Sequence, residues 1–352
     1  MSGFWQGRRV LVTGHTGFKG VWLSLWLEQL GAKVIGLSLP PHTSPSLYSL
    51  VGPWPNQERE FVDVRDARAV TKAVADAQPQ IVFHLAAQAL VRPSYQDPIT
   101  TFATNVMGTL HILGAIRHVP GIEAAVVVTT DKVYENLQLG QPFVEQDRLG
   151  GKDPYSSSKA CAELVTQSFR DSFLSDDRAP RVATARAGNV VGGGDWSVDR
   201  LVPDIVRAHT AGHKVKLRYP DAVRPWQHVL EPLHGYLTLG QLLIESPKIA
   251  PKAVNFGPDP GGFLSVAEVV EMVSQAFGGS PGWEQMSGAH PAEADTLTLS
   301  SEHARQTLGW RSKLTMLETI DWTAQWYRDL AGGGDARQLT LSQIYLYQSL
   351  CS

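Results

Sequence analysis

Cysteine is nearly absent. Cys161 and Cys351 are the two in 352 residues, and neither has a neighbour at the spacing of a zinc site or a disulfide framework. Cys161, inside a helical pattern, reads as a small apolar filler, and no metal is expected. Neither sign of charge dominates: 31 Lys and Arg stand against 34 Asp and Glu, a formal net charge of -3. Nucleic acid is therefore not an expected partner, and an anionic ligand must be met by local donors rather than by an overall field. No uninterrupted apolar stretch reads as long enough to span a bilayer. Residues 1–9 lack the apolar core of a secretory signal, so a cytoplasmic location is the expectation. Repeats and low-complexity linkers are missing too, and residues 331–334 are the one stretch that reads as flexible.

What is present is alternation of strands and helices. Residues 10–13, 33–38, 61–62, 81–85, 124–129 and 181–187 read as strands, and residues 21–30, 100–116 and 154–173 as helices. The strands are apolar without alternating, the mark of a parallel sheet buried on both faces. The expected fold is α/β: a Rossmann-type doubly wound parallel sheet with a smaller mixed α/β C-terminal substrate-binding lobe. Residues 1–188 would hold the cofactor and the catalytic groups. They would also receive a later segment near 225–260, with residues 189–352 mainly binding substrate. After residue 190 the texture changes to Gly, Pro, Trp and His, with helices expected at 201–211, 231–243 and 265–277.

Gly14-His15-Thr16-Gly17-Phe18-Lys19-Gly20 lies between a strand and a helix. This GxxGxxG spacing permits a tight turn, close approach of a pyrophosphate to the backbone, and close helix–strand packing, with the helix N-terminus facing the anion. A dinucleotide cofactor is expected. The second strand ends at Ser38 with no acid for a ribose diol, and no arginine follows closely to clamp a 2′-phosphate. NAD is therefore expected over NADP, held less tightly than an acid would hold it. His15 and Lys19 would contact phosphate or stay solvated. Asp63 reads as an adenine partner or a solvated loop carboxylate. Tyr155 and Lys159 lie one helical turn apart, so the lysine can stabilise a phenolate that acts as a base while NAD takes hydride. Thr130, Asp131 and Lys132 close the fifth strand, where ligands of such sheets bind.

The order of these motifs resembles the extended short-chain dehydrogenase/reductase superfamily. The other members of the series are His84-Leu85-Ala86-Ala87-Gln88, Asn105-x-x-Gly108-Thr109 and Arg186-x-x-Asn189-Val190. More narrowly, the chain resembles CDP-glucose 4,6-dehydratases along nearly its whole length. Arg186 to Trp196, Asp199 to Pro203 and Arg224 to Pro232 are the specific stretches. The resemblance implies CDP-glucose as substrate, NAD as cofactor, and catalysis by Thr130, Asp131, Lys132, Tyr155 and Lys159. Asp131 would protonate the departing C6 oxygen, and Lys132, at a position that is Glu in dTDP-glucose relatives, would act as the C5 base, stabilise the enolate or position the acid. It implies further cofactor contacts at Val64, Leu85, Ala86, Ala87, Gln88 and Thr104, and substrate contacts at Asn189, Arg200, Leu201, Arg224, Asn255 and His290. A homodimer or tetramer built on the helices at 100–116 and 154–173 is also implied. Three alternatives remain open at this point: a 4-epimerase, a dehydratase for another nucleotide sugar, and a catalytically silent dinucleotide sensor.

Overall fold

The computed structural model describes residues 2–54, 57–137, 140–288, 290 and 293–351. Its strands are β1 (Arg9–Thr13), β2 (Lys33–Ser38), β3 (Glu58–Phe61), β4 (Ile81–His84), β5 (Ala124–Val128) and β6 (Arg181–Ala187). They continue with β7 (Asn189–Val191), β8 (Val215–Leu217), β9 (Val223–His228), β10 (Ala253–Phe256), β11 (Phe263–Ser265) and β12 (Trp283–Gln285). Seven of them form a wholly parallel sheet in the order β10-β6-β5-β4-β1-β2-β3. Burial explains the run-like sequence of its strands. Along β1, Val10 and Val12 enter the core on one side of the sheet and Leu11 the core on the other. Every residue of β5 is buried. The strand order reverses between β1 and β4, and a crevice opens there beyond the strands' carboxyl ends.

The helices that flank the crevice place the site. α1 (Phe18–Gln29) begins inside the glycine loop, three residues earlier than expected, and buries Trp22 and Trp26 almost completely. α2 spans Pro98–His118 with a π turn at Ala103–Met107. This corrects one expectation, because α2 is long and apolar enough by length and composition to cross a membrane (mean hydropathy 1.3 over an 18-residue window). The polar residues that seemed to interrupt the run are satisfied inside the protein: Asn105 Nδ2 donates to Gln88 O and Ser158 Oγ, and Thr109 Oγ1 donates to Asn105 O. α3 (Pro154–Phe173) falls where the sequence places it. Asp153 caps it by accepting from the Ser156 N–H, and Pro154 takes the first turn, where its missing N–H costs nothing.

The second half adds a three-stranded sheet, β11-β9-β7, and the β8–β12 pair. α4 (Leu201–Thr210) and α5 (Leu230–Glu245) follow the expected pattern. The strand expected at residues 61–62 lies at Glu58–Phe61 instead; it is a charged, exposed edge strand with no apolar pattern to read. Residues 331–334 are not a loose linker. They form the corner between α6 (Met316–Ala331) and α7 (Ala336–Leu350), and the N–H groups of Gly332, Gly333 and Gly334 donate back to carbonyls of Arg328, Leu330 and Asp329. α7 returns to the first half. Tyr347 meets Trp26 edge-on, and Arg337 pairs with Glu28. Its other anchor is Glu231, which accepts from the Tyr347 hydroxyl at 2.5 Å and from the backbone of Lys313 and Leu314.

Candidate active site

The glycine loop has the shape its spacing implies. Gly14 sits at φ +73°, and a Cβ there would lie 2.8 Å from Ala86 N. A Cβ at Gly20 would lie 2.1 Å from Gly14 O, so only hydrogen lets α1 pack against the turn. Gly17 caps α1 with no side chain bonded to its first N–H groups, leaving them for an anion. Thr13 Oγ1 accepts from the N–H groups of Leu85 and Ala86, which holds the β4 end against the loop. Ala87 and Gln88 follow, with the Gln88 N–H donating to Asn105 Oδ1. These residues fit a bound dinucleotide.

Around that cradle, several expected contacts take more definite form. His15 is fully buried, edge-on to Tyr48 and against the backbone of Gly36. Burial lowers its pKa to about 4, so it is neutral and neither solvated nor a cation for phosphate. Ser38 Oγ bonds Thr16 Oγ1 at 2.9 Å, and Thr16 also donates to Leu39 O. Asp63 is held by Arg65 at 2.6 Å, which keeps its carboxyl below the usual range. Val64 is buried beside Gly108, and Thr104 lies in the π turn of α2. Phe18 lies near Gly192, beneath the later glycine-rich loop. Lys19 is half-buried and donates to Tyr236 Oη at 3.5 Å. Burial first, and then Arg200 and Lys159, bring its pKa to about 7 against the pull of Asp131.

The catalytic candidates converge. Burial raises the Tyr155 pKa, while a hydrogen bond with Thr130 opposes it. Burial lowers Lys159 to about 8, with Glu163 pulling the other way, and its Nζ donates to Val128 O at 2.9 Å. Thr130 Oγ1 donates to Asp131 Oδ1 at 2.9 Å. Lys132 Nζ reaches the same oxygen at 3.2 Å and Asn189 Oδ1 at 3.3 Å. Asp131 Oδ2 is buried without a partner, facing Gly188. Beneath this layer lies a buried ion pair that sequence reading missed. Arg186 Nε and Nη2 donate to the two Glu163 oxygens at 2.9 and 2.8 Å, and Glu163 also accepts from Thr129 and Thr184. The available signal was Glu163's place one turn after Lys159 on α3.

Asn189 also lines a cleft of about 180 Å³. Arg200, Leu201 and Arg224 line it as expected. Arg224 is 5% exposed, with Nη2 3.4 Å from Glu293 Oε2, and the other Glu293 oxygen holds Arg218 at 3.1 Å. Lys216, Arg218, Tyr219 and Glu293 were not anticipated; they come from segments without a recognisable pattern. Two expected substrate residues do not line the cleft. Asn255 is fully buried, accepting from Tyr134 Oη at 2.7 Å and donating to Phe143 O at 3.1 Å, so its side chain is already committed. His290 lies behind Tyr219, whose hydroxyl donates to its carbonyl at 3.2 Å.

Comparison with known proteins agrees with this geometry. Residues 10–250 match the NAD dependent epimerase/dehydratase family. The chain is 42% identical over 350 residues, 98% of either chain, to the CDP-glucose 4,6-dehydratase of Salmonella typhimurium. Among solved structures, an epimerase of Methanothermobacter thermautotrophicus superposes with a TM-score of 0.82 at 23% identity, covering 93% of this chain and 94% of that one. The UDP-glucose 4-epimerase of Thermus thermophilus, solved with NAD, superposes at 0.76 with 27% identity, covering 91% and 99%.

Proposed function

The chain belongs to the NAD-dependent epimerase/dehydratase family, and from that premise we propose that it is a CDP-glucose 4,6-dehydratase, converting CDP-D-glucose into CDP-4-keto-6-deoxy-D-glucose and water. The observation that carries this reading is the Asp131–Lys132 pair beside Tyr155, joined to the cleft through Asn189. A 4-epimerase needs no acid for a departing hydroxyl; a dehydratase does. The near full-length 42% identity supports the cytidine nucleotide. Thr130, Tyr155 and Lys159 together count against a silent sensor.

In this reading Tyr155 takes the C4 hydroxyl proton, with Thr130 opposing the burial that raises its pKa and Lys159, one helical turn on, supplying positive charge for the phenolate. NAD held on the glycine loop would supply the hydride acceptor for C4 and the hydride donor for C6. The C4 ketone makes the C5 proton acidic. Asp131 and Lys132 then work as one unit, sharing a proton between Nζ and Oδ1. That proton passes through Asp131 to the C6 oxygen, which leaves as water, and Lys132, having given it up, takes the C5 proton, which restores the pair. Arg200 and Arg224 meet the diphosphate, with the fork of Arg224 suited to phosphate oxygens once Glu293 yields. Ser38 in place of an acid predicts loosely held NAD.

We further propose that residues 1–188, with β10, hold the cofactor, and that residues 189–352 mainly hold the nucleotide sugar. The exposed apolar side chains of α2 and α3, among them Ile99, Met107 and Leu164, make a homodimer interface of paired helices; light scattering on the purified protein tests it. The function is tested by incubation with CDP-, dTDP-, UDP- and GDP-glucose, with and without added NAD. Loss of one water from CDP-glucose is expected. An isomer of unchanged mass, or turnover of another nucleotide alone, would overturn the assignment.

A further inference from the structure

We propose that Asp204 reads the exocyclic amine of cytosine and so sets the preference for a cytidine over a uridine diphosphate sugar. The proposal rests on the CDP-glucose reading above and deepens it.

The cleft has a direction. Its catalytic end is Asn189, bonded to Lys132. Next come the guanidinium groups of Arg224 and Arg218, held by Glu293 in the place a diphosphate requires. Sugar, diphosphate, ribose and base follow one another along the substrate, so the base lies at the end away from Asn189. In this arrangement the base meets the first turn of α4, carrying Leu201 and Asp204, and the end of β8 at Leu217, which line the same cleft.

Four acids line the cleft, and three of them are committed elsewhere. Asp195 accepts from the Ser197 N–H at 3.0 Å, Asp199 is paired with Arg92 at 2.6 Å, and Glu293 bridges two arginines. Asp204 pairs with Arg207 one turn along α4, and both side chains are more than a third exposed. A solvated pair of this kind is weak and readily shared with a ligand. Burial nevertheless holds the Asp204 carboxyl above its usual range, against the pull of Arg207. The carboxyl lines the same cleft as Arg218 and Arg224. Cytosine presents an N4 amine donor where uracil presents an O4 acceptor. A carboxylate accepts from the first and repels the second, so one residue separates two nucleotides that are otherwise alike.

The test compares wild type, Asp204→Asn and Asp204→Leu, each confirmed folded by circular dichroism. Binding of CDP and UDP is measured by calorimetry, and kcat/KM is measured with CDP-glucose and UDP-glucose. Wild type is expected to favour the cytidine ligand by about tenfold to a hundredfold. The Asn variant can either accept or donate, and its preference should collapse through a gain for the uridine ligand. The Leu variant should lose cytidine binding by about tenfold and bind uridine no more weakly than wild type does. An unchanged preference in both variants, an equal loss on both nucleotides, or no preference in wild type would overturn the proposal. If wild type binds CDP preferentially but fails to dehydrate CDP-glucose, the reaction assignment falls, and the binding ratios still judge Asp204.

Discussion

The two ends of the site are built in opposite ways. The catalytic end is compact and buried. Thr130, Asp131, Tyr155 and Lys159 are each under a tenth exposed, and their groups are bonded to one another or to the sheet. The nucleotide end is an open cleft whose charges come from α4, β8, β9 and residues around them, and are held by ion pairs that involve at least one half-exposed or exposed side chain. The first end is rigid because its residues project from neighbouring strand ends and one helix. The second is adjustable because its cations rest on carboxylates that a diphosphate can displace. Substitutions at the first end should therefore abolish chemistry, and those at the second should change affinity and choice of nucleotide.

The largest expected effect is at Tyr155. Tyr155→Phe keeps the ring and removes the base, and kcat on CDP-glucose should fall about 10²- to 10⁴-fold with little change in KM. A fall in kcat/KM carried wholly by KM would place Tyr155 in binding and erase the contrast. Asp131→Asn separates the steps. Bound sugar should still be oxidised at C4, seen as reduced-nicotinamide absorbance, while water loss stops.

Next comes the layer beneath. Glu163→Gln leaves the Arg186 guanidinium, 5% exposed, without its countercharge, and should destabilise the fold by about 3–5 kcal/mol in denaturant titration. Lys72→Gln, breaking the exposed Lys72–Asp76 pair, should leave the midpoint unchanged.

Acid should act on the rigid end before the open one. Burial lowers the pKa of His84 and His228 to about 3 and of His15 and His234 to about 4. These folded values lie below the unfolded value of 6.5. Their contribution is therefore fully present above pH 6.5 and declines as the unfolded chain takes up protons between 6.5 and about 3. Each should cost about 2 kcal/mol by pH 5. His228→Gln should flatten the fall in stability between pH 7 and 5, and a parallel curve would show that His228 does not contribute. The smallest effect is expected at Arg224→Lys, which keeps charge but loses the fork; KM should rise several-fold with kcat nearly unchanged.

The sequence was legible where a function needs neighbouring residues in a regular element. GxxGxxG, Tyr155 with Lys159, and Thr130 to Lys132 each lie within one turn or one strand end, so spacing alone places their groups together. Five strands of the sheet, β1, β2, β4, β5 and β6, were legible for the same reason: burial on both faces leaves an apolar run, whereas β10 was not read as a strand. The edge strand Glu58–Phe61 and the corner at 331–334 were not, since an exposed strand has no apolar pattern and a glycine run looks alike in a linker and a tight turn. Asn255 shows the limit of carrying a role along the chain. Its position fits a substrate contact, but its amide is already bonded to Tyr134 and Phe143.

By itself, then, the sequence determined the parallel sheet, the dinucleotide turn and the chemical groups at the strand ends, because these follow from local periodicity and steric need. Tertiary structure alone decided that His15 is a neutral, buried ring, that Glu163 and Arg186 support the catalytic layer, and that Asp204, Arg218 and Glu293 share one cleft. Those facts depend on which distant segments meet and on how much water is left between them. No spacing along the chain encodes either.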